Sequence, residues 1–542
     1  MSNIVVFRRV GSMTLLTGPD GGPPPPEACR VVETRLVYFH KSFEPSFLRG
    51  PAAFDRSTGK YSGYKQEKRH LFAYENGVPI FQWGFESRVW RECQAAGLEP
   101  QFLDCSPDHP RPDRYEFDPL RAMERIDLRA RQDECLQAIA SNVYGQIHAP
   151  TGFGKGFIIA AIALAYPKAR IVVVTYRKDV IGTLKRRLTE FLPAVGQVGD
   201  GQHVWERVTV VTADSMHHIP HDSQEPDFLL YDEGHEAPTA KRMAELSKFA
   251  RARCFMFTGS PDCRSDGADF RLEGYFGPPV FTMTYPEAVA LGLVLPIRVL
   301  MISVDVAHPL GGARDPNMDL TARERATVWR NSARNQVIAR VINALPSDEQ
   351  SLVLVKSAEH AAYLKQFLPD ATLIYDTMKP TVYKAAVKAG VIDEAREPLM
   401  SARTRRRLTS EFERGELKKA ICTDVWSTGV SFDALGYLFR ADARAAAGIS
   451  IQAPGRTSRR FDSTGKSFGV CLDLNDKFDD GLYRRGKERE KIYRRMGWDV
   501  HRVTPEQAIQ ILTTGHWPQV PPPAVRPTSS PAVSGSTPEP AA

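Results

Sequence analysis

GQIHAPTGFGKGFIIAAIALAY, Gly145 to Tyr166, is the stretch on which the reading of the chain turns. A short apolar strand runs into a turn with glycines at 152, 154 and 156, then an apolar helix. Glycines let a backbone curl until its N–H groups face one anion. The helix N-terminus adds positive potential at the same spot. Lys155 stands where its ammonium can reach the β- and γ-phosphates of a nucleotide. Such a turn is a weak signal alone; its place between strand and helix makes it a phosphate loop. One position departs from the usual pattern. Gly156 stands where Ser or Thr normally offers a hydroxyl to Mg2+. Either a water replaces that hydroxyl, or Mg2+ binding and turnover are weakened. Thr151, in the same loop, is not placed to substitute.

Downstream, DFLLYDEGH (Asp227 to His235) brings an apolar strand to two adjacent acids. Open α/β sheets bind ligands at the carboxyl ends of their strands. Paired acids there suit phosphoryl chemistry: Asp232 as the Mg2+ ligand, Glu233 to orient or deprotonate an attacking water. The plain alternative is two exposed acids after an edge strand.

The same pattern extends in both directions. QIHAP, RIVVVTY, VTVVTA, DFLLYDE and RCFMFTG are short, continuously apolar runs separated by helical segments. That pattern belongs to parallel strands buried on both faces. A second series follows: SLVLVKS, ATLIYD, KAICTD, YLFRAD and SFGVCLDL. The expected fold class is α/β, with tandem parallel-sheet lobes at 119–293 and 294–516. A charged stretch, Thr377 to Arg407, interrupts the second lobe and should carry its own helix.

Residues 1–118 read as an α+β accessory domain. RHLFAYE and VPIFQWGF flank Asn76-Gly77, a tight-hairpin dipeptide. Basic and aromatic residues interleave there (Lys60, Tyr61, Tyr64, Lys65, Lys68, Arg69, Phe81, Trp83 and Phe85), so the hairpin is a candidate wedge at a duplex junction. The plain reading makes these aromatics the domain's own core. Residues 517–542, rich in Pro, Ser and Ala, read as a disordered tail.

Composition narrows the classes. A length of 542 residues suggests several domains, and 42% hydrophobic residues suffice for sizeable cores. The net charge of +7 permits a polyanionic partner without demanding one. The 8 cysteines form no CxxC pair, which argues against a zinc ribbon or a disulfide framework and fits a reducing, cytoplasmic compartment. No run approaches the ~20 apolar residues that span a bilayer, and the N-terminal apolar stretch is too short for a secretory signal.

Taken in order, these segments resemble the superfamily 2 helicases over roughly residues 125 to 500. LRARQ, ending at Gln132, resembles the segment that reads adenine. APTGFGKG resembles motif I, VVVTYR (Val172 to Arg177) motif Ia, and VTVVTADSM (Val208 to Met216) the next strand-touching motif. DEGH (Asp232 to His235) resembles the Walker B box. TGSP (Thr258 to Pro261) with RSDG (Arg264 to Gly267) resembles motif III and its trailing segment. YFGPPVFTMTYPEAVALGLVLP resembles the linker into the second lobe, SLVLVKSAEHA motif IV, TDVWSTGVS (Thr423 to Ser431) motif V, and QAPGRTSR (Gln452 to Arg459) motif VI. Single motifs are weak; their order is specific. The nearest likeness is to phage UvsW-type branch-migration helicases, related to RecG- and XPB-like motors. Ser431 stands where many relatives carry an acid, with Asp433 as a substitute for a ribose contact.

The resemblance implies two RecA-like lobes closing on ATP and Mg2+. Gln132, Thr151, Gly152, Gly154, Lys155, Gly156 and Gly429 would bind the nucleotide, and Asp232 and Glu233 the metal. Glu233, Lys155, Arg456 and Arg459 would be catalytic, the two arginines reaching across from lobe two on one helix face. His235, Thr258 and Ser260 would couple the acids to lobe two. Thr175, Arg177, Thr212, Ser215 and Thr423 would touch nucleic-acid phosphates, a contact without base information. The basic runs RTRRR (Arg403 to Arg407) and YRRGKEREKIYRR (Tyr483 to Arg495) are further candidate contacts, or solvated helix faces. The implied partner is branched or duplex DNA, with an RNA–DNA hybrid as a further candidate, and the implied pathways are repair and recombination. Three rivals stand beside this reading: a nucleic-acid-binding scaffold with a crippled ATPase, a restriction-type translocase, and an RNA helicase.

Overall fold

The computed structural model describes residues 3–43, 54–55, 60–61, 64–104, 115–176, 178–221, 225–237, 239–261, 266–311, 318–395, 397–426, 432–460 and 465–518. Arg177, Gly429, Ser431, the start of RSDG and nearly all of the 517–542 segment lie outside these.

The N-terminal unit is a five-stranded sheet ordered Phe72–Glu75, Val78–Gln82, Met13–Thr17, Ile4–Val10, Glu99–Asp104. Its last pair is parallel and the others antiparallel. Asn76 and Gly77, at φ 50° and 80°, make the tight hairpin turn. Phe81, Trp83 and Phe85 are not presented as a wedge, and the side chains of Lys60, Tyr61, Tyr64 and Lys65 lie outside the described residues. Phe81 and Phe85 are buried with Val5, Phe7, Leu16 and Val89 in the unit's core. Trp83–Phe85 is a 3-10 turn rather than strand. The basic strand Tyr64–His70 leaves the sheet and pairs with Val37–Phe43 as a separate two-stranded ribbon.

This unit is clamped to the first large sheet. Gly84 lies so close to the backbone of Glu273 and Gly274 that a Cβ would overlap it. Trp83 packs on Tyr144 with ring centroids 5.5 Å apart, and its indole N–H donates to Tyr275 O at 3.2 Å. Arg88 grips the Glu273 carboxylate with two bonds of 2.7 and 2.6 Å.

The first large sheet has eight strands, ordered Gln202–Val204, Gly196–Gly199, Val208–Thr212, Ile171–Thr175, Phe228–Asp232, Arg253–Thr258, Tyr144–His148, Pro279–Thr282. All neighbouring pairs are parallel except the outermost, Gln202–Val204 with Gly196–Gly199. The sequence predicts five of these strands. Pro279–Thr282 falls in the segment read as linker, and the other two are a short edge hairpin. The second sheet is parallel and seven-stranded, ordered Thr372–Ile374, Lys419–Cys422, Gln350–Leu354, Leu435–Arg440, Gly469–Asp476, Ile297–Val304, Asp499–Val503. Five of these are legible as apolar runs; Ile297–Val304 and Asp499–Val503 are additions. The fold is thus two tandem RecA-like lobes behind an α+β unit. The charged stretch carries helix Pro380–Lys388 and the start of helix Ala402–Glu413.

Register positions the site. In lobe one, His148 pairs with Thr258, Phe257 with Asp232, and Asp232 with Thr175. Four strand ends therefore reach one edge together, with the turn after His148 one strand removed from the acids after Tyr231. A contiguous apolar core runs through the linker, from Met283, Tyr285 and Val294 to Val299, Tyr493 and Trp498. It holds the lobes against one another.

Lobe two also buries charge. Arg489 is 1% exposed and bonds Asp473 at 2.8 and 2.9 Å, with Tyr493 on the same carboxylate at 2.6 Å. The run Tyr483 to Arg495 is therefore not a uniformly solvated or nucleic-acid-facing helix: part of it is core.

Candidate functional site

The phosphate loop takes its shape from two residues that only glycine fits comfortably. Gly152 and Gly154 have φ of 95° and 97°. A Cβ on Gly154 would come within 2.6 Å of Gln132 Nε2 and 2.8 Å of Arg129 Nη2. Helix Lys155–Ala165 starts directly after. Lys155 Nζ lies 3.8 Å from Glu233 Oε1 and 3.4 Å from Ala149 O, so the loop lysine and the acid face each other across an open end.

Gln132 is 1% exposed and braces the loop: its Nε2 donates to Phe153 O at 2.6 Å and its Oε1 accepts from Arg129 N at 2.9 Å. Arg129 adds bonds to Gly152 O at 3.3 Å and Phe153 O at 3.2 Å. Sequence reasoning misses Arg129, although it stands in the quoted LRARQ segment.

Asp232 ends its strand, and Glu233 follows at φ 53°. Burial, and then the charge of Glu233, push the Asp232 carboxyl up to about 7, while Lys155 pulls the other way. A carboxylate disfavoured in this way is chemically matched to a cation. Among the described residues no cluster of three or more His, Cys, Asp or Glu could hold a metal unaided. One or two carboxylates plus phosphate oxygens and waters is the set that Mg2+ takes on nucleotides. The residues present fit a cation delivered with a triphosphate.

Lobe two closes the site. Helix Ala447–Gln452 leads to a 3-10 turn, Pro454–Arg456, and then Arg459. The arginines sit on this bent segment, not on one regular helix face as their spacing suggests. A Cβ on Gly455 would lie 3.4 Å from Thr151 Oγ1, and one on Gly152 would lie 3.9 Å from Arg459 Cγ, so the segment rests on the phosphate loop. Arg456 is 4% exposed, with its guanidinium 5.9 Å over the Phe432 ring. Arg459 Nη1 donates to Asp433 Oδ1 at 3.1 Å. A cleft of about 640 Å³ is lined by Gln132, Thr151, Gly152, Gly154, Lys155, Gly156, Asp232 and Glu233 from lobe one, and by Asp433, Gln452, Arg456 and Arg459 from lobe two.

The coupling residues form a chain across the seam. His235 Nδ1 lies 3.0 Å from Thr258 Oγ1, which accepts from Ser260 N at 3.1 Å. Gln452 Nε2 lies 2.9 Å from His235 Nε2, 3.3 Å from Glu233 Oε2 and 3.5 Å from Ser260 Oγ. An amide N–H donating to Nε2 leaves the histidine proton on Nδ1, where it donates to Thr258. Gln452 opens the QxxGRxxR segment, so a signal for it existed, but its contact with His235 had none.

The nucleic-acid candidates fare differently. Thr175 and Thr212 pair with each other in the sheet interior and are 2% and 1% exposed. Thr175 lines the cleft between the lobes, and Thr212 donates to Ser215 Oγ at 2.8 Å. As placed, neither offers a hydroxyl to a strand, and Thr423, 9% exposed, offers little. Arg177 lies outside the described residues. In RTRRR, Arg405 pairs with Asp376 and Arg407 with Glu411 on helix Ala402–Glu413. These acids offset much of the run's charge.

Residues 125–263 match the family described as type III restriction enzyme, res subunit. No curated protein matches the chain. Among solved structures, UvsW of phage T4 covers 93% of this chain and 99% of its own, with 14% identity and a TM-score of 0.37. Dbp5 of S. cerevisiae, bound to RNA and ADP BeF3, covers 73% of this chain and 95% of its own, with 12% identity and a TM-score of 0.51. A fragment of a putative HsdR subunit of a type I restriction enzyme from Vibrio vulnificus covers 80% of each chain, with 17% identity and a TM-score of 0.49. For Dbp5, at 12% identity and a TM-score of 0.51, the likeness is one of fold.

Proposed function

We propose that the chain is a superfamily 2 helicase-type, ATP-dependent enzyme, a DNA translocase that remodels branched or duplex DNA, driven by ATP hydrolysed at the seam between its lobes. The observation that carries the seam is the shared cleft: Lys155 and Glu233 on one wall, Gln452, Arg456 and Arg459 on the other. The division adopted is 1–118 accessory, 119–293 and 294–516 motor lobes, with 517–542 beyond them.

In this reading the loop amides and Lys155 hold the β- and γ-phosphates, and Asp232 with the triphosphate would hold Mg2+, which would supply charge neutralisation. Glu233 accepts the proton of the attacking water as its oxygen bonds to the γ-phosphorus. The bond to the ADP oxygen breaks, and Lys155, Arg456 and Arg459 meet the charge that develops there. Since Arg456 and Arg459 belong to the other lobe, ATP favours the closed seam and product release relaxes it. Gln452, on His235 and Glu233, reports that closure to the acid. The clamped N-terminal unit moves with lobe one, so whatever it binds is carried by the stroke.

DNA is favoured by the restriction-subunit match and by the motif likeness. The same match supports a restriction-system motor as the second reading. Turnover measured with forked DNA, linear duplex, single strands and RNA separates them. Strongest stimulation by forks supports remodelling, and equal stimulation by long linear duplex supports the restriction-type motor. Stimulation by RNA alone overturns the DNA assignment. The absence of turnover with any of them leaves a binding scaffold.

A further inference from the structure

Gly156 sits in the first turn of helix Lys155–Ala165, where a phosphate loop normally carries a hydroxyl. The space is not empty. A Cβ built on Gly156 would lie 3.1 Å from Arg187 Cδ and 3.3 Å from Arg187 Nη1. Arg187 belongs to helix Lys178–Thr189 of the next α/β unit and lines the same cleft as Lys155, Asp232, Arg456 and Arg459. Its guanidinium lies 5.8 Å over the Phe157 ring, which steadies the side chain beside the loop. Its charge acts on both Asp232 and Arg459, which places it inside the electrostatics of the site.

A Cβ there would already press on Arg187, whose guanidinium stands beside the position from which a serine or threonine hydroxyl would extend. The position that elsewhere presents a neutral oxygen to a metal here has a guanidinium beside it. A guanidinium repels a divalent cation and attracts phosphate oxygens, which it can meet with two parallel N–H donors. We propose that Arg187 is a phosphate-contacting residue of this nucleotide site, and that Gly156 is the small residue that admits it. The pair replaces a hydroxyl–metal link with a direct guanidinium–phosphate contact. This rests on ATP binding in the cleft, as proposed above. Nucleotide affinity should therefore depend less on Mg2+ than in a loop that carries the hydroxyl. The two positions should also behave as a unit: a side chain at 156 presses on Arg187 and shifts its guanidinium, and loss of Arg187 relieves that pressure.

Titration calorimetry of the full chain with ATPγS, in Mg2+ and in EDTA, tests this. Arg187→Gln, Arg187→Lys, Gly156→Ser and the Gly156→Ser/Arg187→Gln double variant are compared, with Lys155→Ala as site control and thermal melts as fold control. In EDTA, Arg187→Gln should weaken ATPγS by about tenfold or more; in Mg2+ the loss should stay under about threefold. Arg187→Lys should recover part of the loss in EDTA. Gly156→Ser alone should weaken binding in EDTA, and the double variant should bind as tightly as wild type in Mg2+. If Arg187→Gln loses the same factor in both buffers, or stays within about twofold of wild type in both, Arg187 does not take the metal's share and the proposal fails. Wild type that does not bind ATPγS, or binds it unaffected by Lys155→Ala, overturns the nucleotide site itself, a distinct outcome.

Discussion

Gln452→Ala removes the amide that joins lobe two to His235, Glu233 and Ser260. Only the 2.9 Å contact to His235 Nε2 is short enough to count as a full hydrogen bond; those of 3.3 Å to Glu233 and 3.5 Å to Ser260 are weaker. Gln452 and His235 are 7% and 4% exposed, so truncation strands a buried acceptor in the closed state. A stranded acceptor costs about 1–3 kcal/mol. In the open state both groups reach water and the cost vanishes. The closed state alone therefore loses this amount, equivalent to about 5- to 150-fold in the closing equilibrium. The assay is steady-state ATP turnover with and without forked DNA, alongside ATPγS affinity without DNA. Stimulated turnover should fall by about one to two orders of magnitude, more than the accompanying loss of ATPγS affinity in the absence of DNA. Unchanged DNA stimulation would refute the coupling. Equal losses in affinity and in turnover would show that Gln452 merely helps to build the pocket.

Three further outcomes follow from other parts of the fold. Burial and then the Glu233 charge push the Asp232 carboxyl up to about 7 in the folded chain, above its ordinary value when unfolded. The folded state thus holds the extra proton between the two values, so stability falls as pH rises through that window. Asp232→Asn should abolish this fall, raising the melting temperature relative to wild type at pH 8 and not at pH 4; an equal difference at both pH values contradicts it. Arg334 and Asp476, side chains 0% and 1% exposed, bond at 2.9 and 3.1 Å. Arg334→Ala strands a buried carboxylate and should cost about 3–5 kcal/mol by denaturant titration, whereas a loss below about 1 kcal/mol contradicts the pairing. Gly152→Ala forces a side chain at φ 95° against Val294 Cγ1, 2.8 Å away, and should weaken ATPγS by about tenfold or more without unfolding the chain, as read by calorimetry and circular dichroism.

Much of the architecture was legible because a parallel sheet buried on both faces leaves an unmistakable trace: runs such as IVVVT and FLLYD with no polar interruption. Parallel register then dictates that the turn after His148, the acids after Tyr231 and Thr258 share an edge. Strands lacking that trace escaped. Gln202–Val204 is a polar, exposed edge, and Pro279–Thr282 hides among prolines. The closed state was less legible still. The contact between Gln452 and His235 spans 217 positions and depends on how two lobes meet. Arg187 belongs to no quoted motif, and its place beside Gly156 is visible only once two helices are packed. Thr175 and Thr212 looked like surface hydroxyls at strand ends, but neighbouring strands and the turn beyond them close over both. In the run Tyr483 to Arg495, charge density concealed that Arg489 and Glu490 are buried.

The most direct test measures ATPγS affinity and DNA-stimulated ATP turnover side by side in wild type, Lys155→Ala, Arg456→Ala and Arg459→Ala. If one site is assembled from two lobes, the lysine variant loses binding, while the arginine variants keep most of their binding and lose at least about a thousandfold in turnover. Arginine variants that hydrolyse ATP at the wild-type rate would contradict a shared site.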